Sequence, residues 1–414
     1  MERHHVKYLL AGGGAASVAA AVAIRERDAT EPLLMVTQEI SRAYDRSPLS
    51  KSYLRRQTIK RDLPGEPVEF YARNNIELRT GRRVTQIDVA RRSVMLDSGG
   101  EVFYERLLLA TGAMPTPVGL LGGDLPNTFY LKTIADADRL HHAIDISRGA
   151  GGRNRAVVIG AGLLGVEIAS SLAQVGVRVD LIQSRATPWP RIAGELLGGF
   201  VARRLGRAGV RVRGKVRAVR LEGDGRVQRV VLSDGASIDC DFAVAAVGVR
   251  ASREVLRNTP IAAESAILVD ARGRTSEPDV YAAGDCCAIF DPRYAKHRHS
   301  PHWQHAAAVG RVCGINMAGG DAMFDAVTHY TTEVAGLDVH AWGDGRFVHH
   351  RLVRGNALGD DGEFAEIGVD DAGRVAQVIA AGRTAEHAAY ATLVRHRTPT
   401  AGDEERLKNP AAPL

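Results

Sequence analysis

Cysteine is scarce in this chain: four in 414 residues, at 240, 286, 287 and 313. Four thiols so placed make no disulfide framework, and the reducing cytoplasm is the expected home. No apolar run reaches spanning length, and the first residues lead straight into a strand instead of a signal peptide, so no membrane association is expected. Aromatic residues make up only 5% of the chain, and no basic–aromatic motif appears, which argues against nucleic acid as a partner. Nor is there a block of charge of one sign. The formal charge of +6 comes from dispersed arginines. It would steer an acidic partner by its long-range field, or serve plain solubility. With 45% apolar and 25% charged residues, the composition is that of an ordinary globular protein, and the length asks for two or three domains. Monomer and homodimer both remain open.

What the chain does have is glycine in a particular order. Val157, Val158 and Ile159 form an apolar run that reads as a buried parallel strand. Gly160, Gly162 and Gly165 complete a GxGxxG, Leu163 and Leu164 open an apolar segment of helical length, and Val177 to Ile182 supplies the next strand. The glycines have separate tasks: a tight turn, close backbone approach to a pyrophosphate, and close packing of helix on strand. The helix N-terminus behind them offers N–H groups and a positive dipole end to phosphate.

A second copy opens the chain. The strand Val6 to Leu10 leads to Gly12, Gly14 and Ser17 in the three glycine positions, and a helix runs from Ala15 to about Arg27. The following strand, Leu33 to Val36, should end on a carboxylate for a ribose hydroxyl, and Gln38 and Glu39 stand there. Two dinucleotide sites in one chain suggest one resident redox cofactor and one exchanging cofactor. Between the copies, Tyr44 to Leu54 reads as a solvated, proline-fixed loop carrying Arg46 and Lys51. Leu78 to Val102 alternates in polarity around Ser98-Gly99-Gly100 and reads as a small antiparallel insert. Ala110, Thr111 and Gly112 follow a buried strand as a small-residue turn open to a ligand.

These motifs, in this order, resemble the FAD-dependent pyridine-nucleotide reductases of the glutathione-reductase superfamily. The resemblance is greatest to the ferredoxin reductases of oxygenase systems, with the apoptosis-inducing-factor flavoproteins close by. It runs from the first fingerprint through YDRSPLSK, ATG, the second fingerprint, AAVG ending at Gly248, and YAAGDC at Tyr281 to Cys286, to the final LKNPAAPL. The implied fold is α/β: two Rossmann-like domains, for FAD and NAD(P), and a smaller α+β C-terminal domain. The implied limits are 1–118 with 250–322, then 119–249, then 323–414. By the same resemblance, Asp285 reaches the flavin's ribityl and phosphate region, Arg46 and Lys51 face the FAD, and the backbone of Val84 meets the adenine. Trp303 falls in a stretch that passes beside the flavin, Arg191 lies beside the nucleotide, and Lys51 pairs with Glu167 at the flavin.

Two departures from the family stand out. Gln183, followed by Arg185, replaces the carboxylate expected to grip the NADH ribose, which makes a 2′-phosphate tolerable and leaves NADH or NADPH open. Tyr330-Thr331-Thr332 stands where a Trp-Ser-Asp run is usual, so a changed partner-facing surface is expected there. Neither CxxxxC nor CxxC occurs where the superfamily places a redox disulfide, so electrons should leave the flavin directly, and Cys286-Cys287 reads as buried thiols. His297, His299, His302 and His305 lack the companions of a zinc motif and read as solvated or cofactor-lining. The resulting expectation is electron transfer from NAD(P)H through FAD to a [2Fe–2S] ferredoxin-type partner. The alternatives are reduction of a small molecule such as a quinone, and a slow apoptosis-inducing-factor-like binding protein.

Overall fold

The computed structural model describes residues 4–149, 151–359 and 363–414. They divide into two compact units, of which the first comprises Met1–Asp45, Leu63–Met114 and Val249–Ala326. Its central sheet begins with three parallel strands, Ile76–Arg79, Leu33–Val36 and His4–Ala11. His4–Ala11 then pairs in parallel with Glu101–Leu109. Leu9, Leu10, Leu34, Leu107, Leu108 and Leu109 are fully buried along these strands, as parallel strands covered on both faces require.

The segment Leu78 to Val102 matches the expected antiparallel insert only in part. Leu78 belongs to the parallel strand Ile76–Arg79, and only Val84–Asp88 and Ser93–Leu96 form the hairpin. The nine residues of Glu101–Leu109 give this strand length to carry two partners along one edge: antiparallel Ser93–Leu96 first, then parallel Val280–Ala282. The hairpin is thereby part of the main sheet.

Helix Ala15–Arg25 lies close against helix Trp303–Met317. A Cβ on Gly310 would stand 2.2 Å from the carbonyl oxygen of Ala16, and one on Gly314 2.3 Å from that of Ala20. Glycine on one helix and alanine on the other therefore set the approach. A smaller sheet of Ile267–Val269, Cys287–Asp291 and Lys296–Arg298 completes this unit.

The second unit comprises Arg46–Asp62, Pro115–Gly248 and Val327–Leu414. Its parallel sheet runs Val210–Arg213, Arg178–Ile182, Arg155–Ile159, Phe242–Ala245 and Thr128–Phe129, with helix Leu163–Gln174 crossing between two of its strands. An antiparallel three-stranded sheet, Ala218–Glu222 to Ser237–Asp239, follows. The remainder is a five-stranded antiparallel sheet in the order His329–Val334, Leu337–Gly343, Val375–Ala381, Phe364–Val369 and His350–Gly355. Helix His387–Arg395 packs on it through Tyr390, Leu393 and Val394. Among the described residues no helix is long and apolar enough to cross a membrane.

Candidate functional site

Each unit carries one fingerprint, and the glycines divide their tasks as their spacing predicts. Gly12 has φ +136° and a Cβ there would meet the Ala110 oxygen at 2.0 Å; Gly160 has φ +105° and would meet the Ala246 oxygen at 2.5 Å. Only glycine meets both demands at these turns. At Gly165 a Cβ would lie 1.8 Å from the Gly160 oxygen, so helix and turn are in direct backbone contact. Its counterpart Ser17 is fully buried and retains a side chain.

The middle glycines are different. Around Gly14 and around Gly162 a Cβ would meet nothing within 4 Å, and both residues cap their helices without a side-chain hydrogen bond. No side chain crowds the start of the helices that begin at Ala15 and Leu163, and a helix N-terminus left open in this way can receive a pyrophosphate. These residues fit a dinucleotide at each turn.

The other expected positions are distributed as follows. Gln38 is exposed, while the half-buried Glu39 accepts a hydrogen bond from the Tyr44 hydroxyl at 2.6 Å, so the carboxylate after the second strand is Glu39. Val84 is buried at the start of its strand. Thr111 Oγ1 donates to the Ser252 carbonyl at 2.6 Å, fixing the turn that Gly112 completes with φ +72°. Asp285 is half-buried, its carbonyl 2.9 Å from His299 Nε2, and Trp303 is 42% exposed at the start of its helix.

In the second unit, Gln183 is buried and both its amide oxygen and nitrogen lack a partner. An orphaned amide at the end of Arg178–Ile182 is a ready donor and acceptor for a ribose. Arg185 and Arg191 are exposed beyond it, and Gly248, with φ +114°, faces open space.

The segment Tyr44 to Leu54 is not the solvated loop its composition suggests. Arg46 caps a short 3₁₀ turn, Ser47–Ser50, and Leu49, Ser50, Tyr53 and Leu54 are buried. The turn presents Lys51 to Glu167 on helix Leu163–Gln174, Nζ to Oε1 at 3.0 Å. Glu167 is only 7% exposed and also accepts from Ser50 Oγ at 2.5 Å and Thr332 Oγ1 at 2.8 Å. One helical turn on, Ser171 Oγ donates to the Ser50 carbonyl at 2.6 Å. Arg55 forms a two-pronged ion pair with Glu333, at 2.6 and 3.1 Å. Burial pushes the Glu333 carboxyl up, but the Arg55 guanidinium outweighs it and the group titrates below its ordinary value. Thr332 is therefore an inward-facing donor, 4% exposed, and does not contribute to a partner-facing surface as its position suggested. Tyr330 beside it is shielded from water, which pushes its phenol well above the usual range. Ser50 and Ser171 are the members of this site that sequence reasoning missed, while Thr332 stood out there only as a departure from the family pattern. The serine preceding Lys51 in PLSK was the one available signal.

All four cysteines are free and buried. Burial pushes the thiols of Cys286, Cys287 and Cys313 up, and that of Cys240 up to about 12. Of the histidines, His305 is packed edge-on against Phe324, and burial lowers it to about 3. His297 is exposed, against Phe290. Among the described residues no group of histidine, cysteine, aspartate and glutamate could hold a metal ion.

Comparison with known proteins agrees with this geometry. Residues 6–310 match the family described as pyridine nucleotide-disulphide oxidoreductase. The chain belongs to that family. It is 31% identical over 350 residues to the biphenyl dioxygenase system ferredoxin–NAD(+) reductase component of Paraburkholderia xenovorans, covering 84% of this chain and 83% of that protein. It is 32% identical to a ferredoxin–NAD(P)(+) reductase of a Sphingomonas species, over 69% of this chain and 67% of the relative. Among solved structures, the ferredoxin reductase for a cytochrome P450 system of Rhodopseudomonas palustris superposes with a TM-score of 0.91 at 26% identity, covering 97% of each chain.

Proposed function

We propose that this chain is an oxidoreductase passing electrons from NAD(P)H through FAD to a [2Fe–2S] ferredoxin that feeds an oxygenase. The observation that carries this reading is the pair of open glycine turns, at Gly14 and Gly162, one in each unit. One suits a resident FAD and the other a visiting nicotinamide nucleotide, and the buried thiols supply no disulfide between them and the acceptor. The hydride and single-electron chemistry belong to the cofactors.

The protein's part is placement. The helix N-termini behind Gly14 and Gly162 hold the two pyrophosphates, Glu39 and Gln183 engage the ribose hydroxyls, and Asp285 meets the flavin side chain. Lys51, paired with Glu167, sets a positive charge near the ring that favours its anionic reduced form. Gln183 with Arg185 and Arg191 suits weak discrimination between NADH and NADPH. Free thiols suit a cytoplasmic enzyme.

An acidic electron carrier would find complementary charge on the first unit. A cleft of about 630 Å³ there has Val249, Leu256 and Ile261 in its lining and Arg250, Arg253 and Arg257 beside them. None of these three arginines forms an ion pair among the described residues, whereas Arg92, Arg106, Arg272 and Arg311 on the same unit are each matched by a carboxylate.

The purified protein should be yellow, with one non-covalent FAD per chain. It should reduce cytochrome c with NAD(P)H only when a [2Fe–2S] ferredoxin is added. A preparation that stays colourless after incubation with FAD would overturn the reading. Equal turnover without ferredoxin, with a quinone as acceptor, would replace the proposed acceptor.

A further inference from the structure

Glu167 is held by more than its salt bridge. Its Oε1 accepts from Lys51 Nζ and Thr332 Oγ1, and its Oε2 accepts from Ser50 Oγ. Both oxygens are therefore fixed, and the carboxylate cannot rotate away from the lysine without breaking a bond to a hydroxyl. The three donors come from two segments: Ser50 and Lys51, adjacent at the end of the Ser47–Ser50 turn, and Thr332 on the strand His329–Val334. Ser50 and Thr332 are each 4% exposed, so little water reaches the carboxylate from their sides. A buried carboxylate needs its lone pairs satisfied. Lys51 is its ion-pair partner, and Glu333, next to Thr332 in sequence, is itself paired with Arg55.

We propose that Ser50 and Thr332 are positioning residues that hold Glu167 aimed at Lys51, so that the lysine stays in place during flavin reduction. This rests on the reading of Lys51 and Glu167 as a flavin-side pair. The position of Thr332 is the informative one, because two replacements separate the possibilities. Valine keeps the shape and removes the donor. Serine keeps the donor.

Stopped-flow reduction of the FAD-loaded protein by NADH, from about pH 6 to 9, tests this. Thr332→Val should slow flavin reduction about tenfold, the loss of one hydrogen bond to a charged group, with little change in the NADH concentration at half-saturation. Ser50→Ala should act in the same direction, and Thr332→Ser should restore the rate. FAD content and melting temperature confirm that each variant is folded. A Thr332→Val protein with unmodified rates, or a Thr332→Ser protein as slow as Thr332→Val, would overturn the proposal while leaving the functional reading intact. A protein that takes up no FAD at all would overturn both.

Discussion

At the scale of single residues, the most consequential choice is Gln183. A carboxylate at the end of this strand would accept from two ribose hydroxyls and repel a 2′-phosphate; a neutral amide does the first weakly and the second not at all. Its amide atoms are buried and unpartnered, so the group is held in reserve at the cost of leaving dry polar atoms unsatisfied. Gln183→Glu should therefore shift preference towards NADH by about tenfold or more in the ratio of kcat/KM values for the two nucleotides. Steady-state rates with NADH and NADPH decide it. An unmodified protein that already prefers NADH strongly, with no change in the variant, would remove Gln183 from the recognition site. Legibility at this scale was uneven. Glycines at Gly12, Gly160 and Gly165 were readable because a missing Cβ is itself the structural requirement, written in the residue type. Thr332 stood out as a departure from the family run, but its role as a donor to Glu167 was not readable. Its meaning comes only from a helix residue 165 positions away in sequence.

At the scale of elements, the C-terminal sheet is tied together by one buried cation. Arg354, 1% exposed, donates to Glu386 at 2.6 Å and to the carbonyls of Leu407 and Ala412, at 3.3 and 2.6 Å. Strand, helix and the final residues thus share one guanidinium. Hydrogen bonding from Arg383 is the largest cause holding the Glu386 carboxyl far below its ordinary value; burial opposes it, and Arg354 and Tyr390 add to the lowering. The folded value is lower than the unfolded one. The stability this carboxylate contributes is therefore complete above roughly pH 4.5 and is lost progressively as the pH falls below that. Glu386→Gln should lower stability at pH 7 by roughly 3 kcal/mol, since it leaves buried Arg354 without its anion, and should flatten the acid limb of the stability profile. Urea midpoints at neutral and acid pH measure both effects. Identical acid limbs in the two proteins would show that other carboxylates govern acid unfolding. The fingerprint units were legible as strand, turn and helix because hydrophobic run and glycine spacing agree locally. The antiparallel pairing around Val84–Leu96 was legible from alternation, but its joining the main sheet was not, because the pairing of Glu101–Leu109 on both edges is not written in that alternation.

At the scale of the whole molecule, a formal charge of +6 describes no surface until the ion pairs are known. Many arginines are consumed locally, as at Arg293 and Arg298 on Asp291, or Arg155 and Arg213 on Asp180. Charge matched in this way has little field at a distance. The arginines at 250, 253 and 257 are not matched, and they lie beside a cleft with apolar residues in its lining. An acidic ferredoxin approaching this unit would be drawn by charge and held by apolar contact, and the first of these is screened by salt. Raising ionic strength from about 0.05 to 0.5 M should lower kcat/KM for ferredoxin roughly tenfold, acting chiefly through KM, while turnover with the uncharged acceptor menadione stays level. Changing Arg250, Arg253 and Arg257 together to glutamine should raise the ferredoxin KM at low salt and leave most of the salt dependence gone. Because menadione needs no protein docking, its rate reports whether NADH binding and flavin reduction survive the three substitutions. If the triple variant keeps both the unmodified KM and the unmodified salt dependence, the carrier docks on some other face, and the cleft belongs to the general solvation of a basic protein.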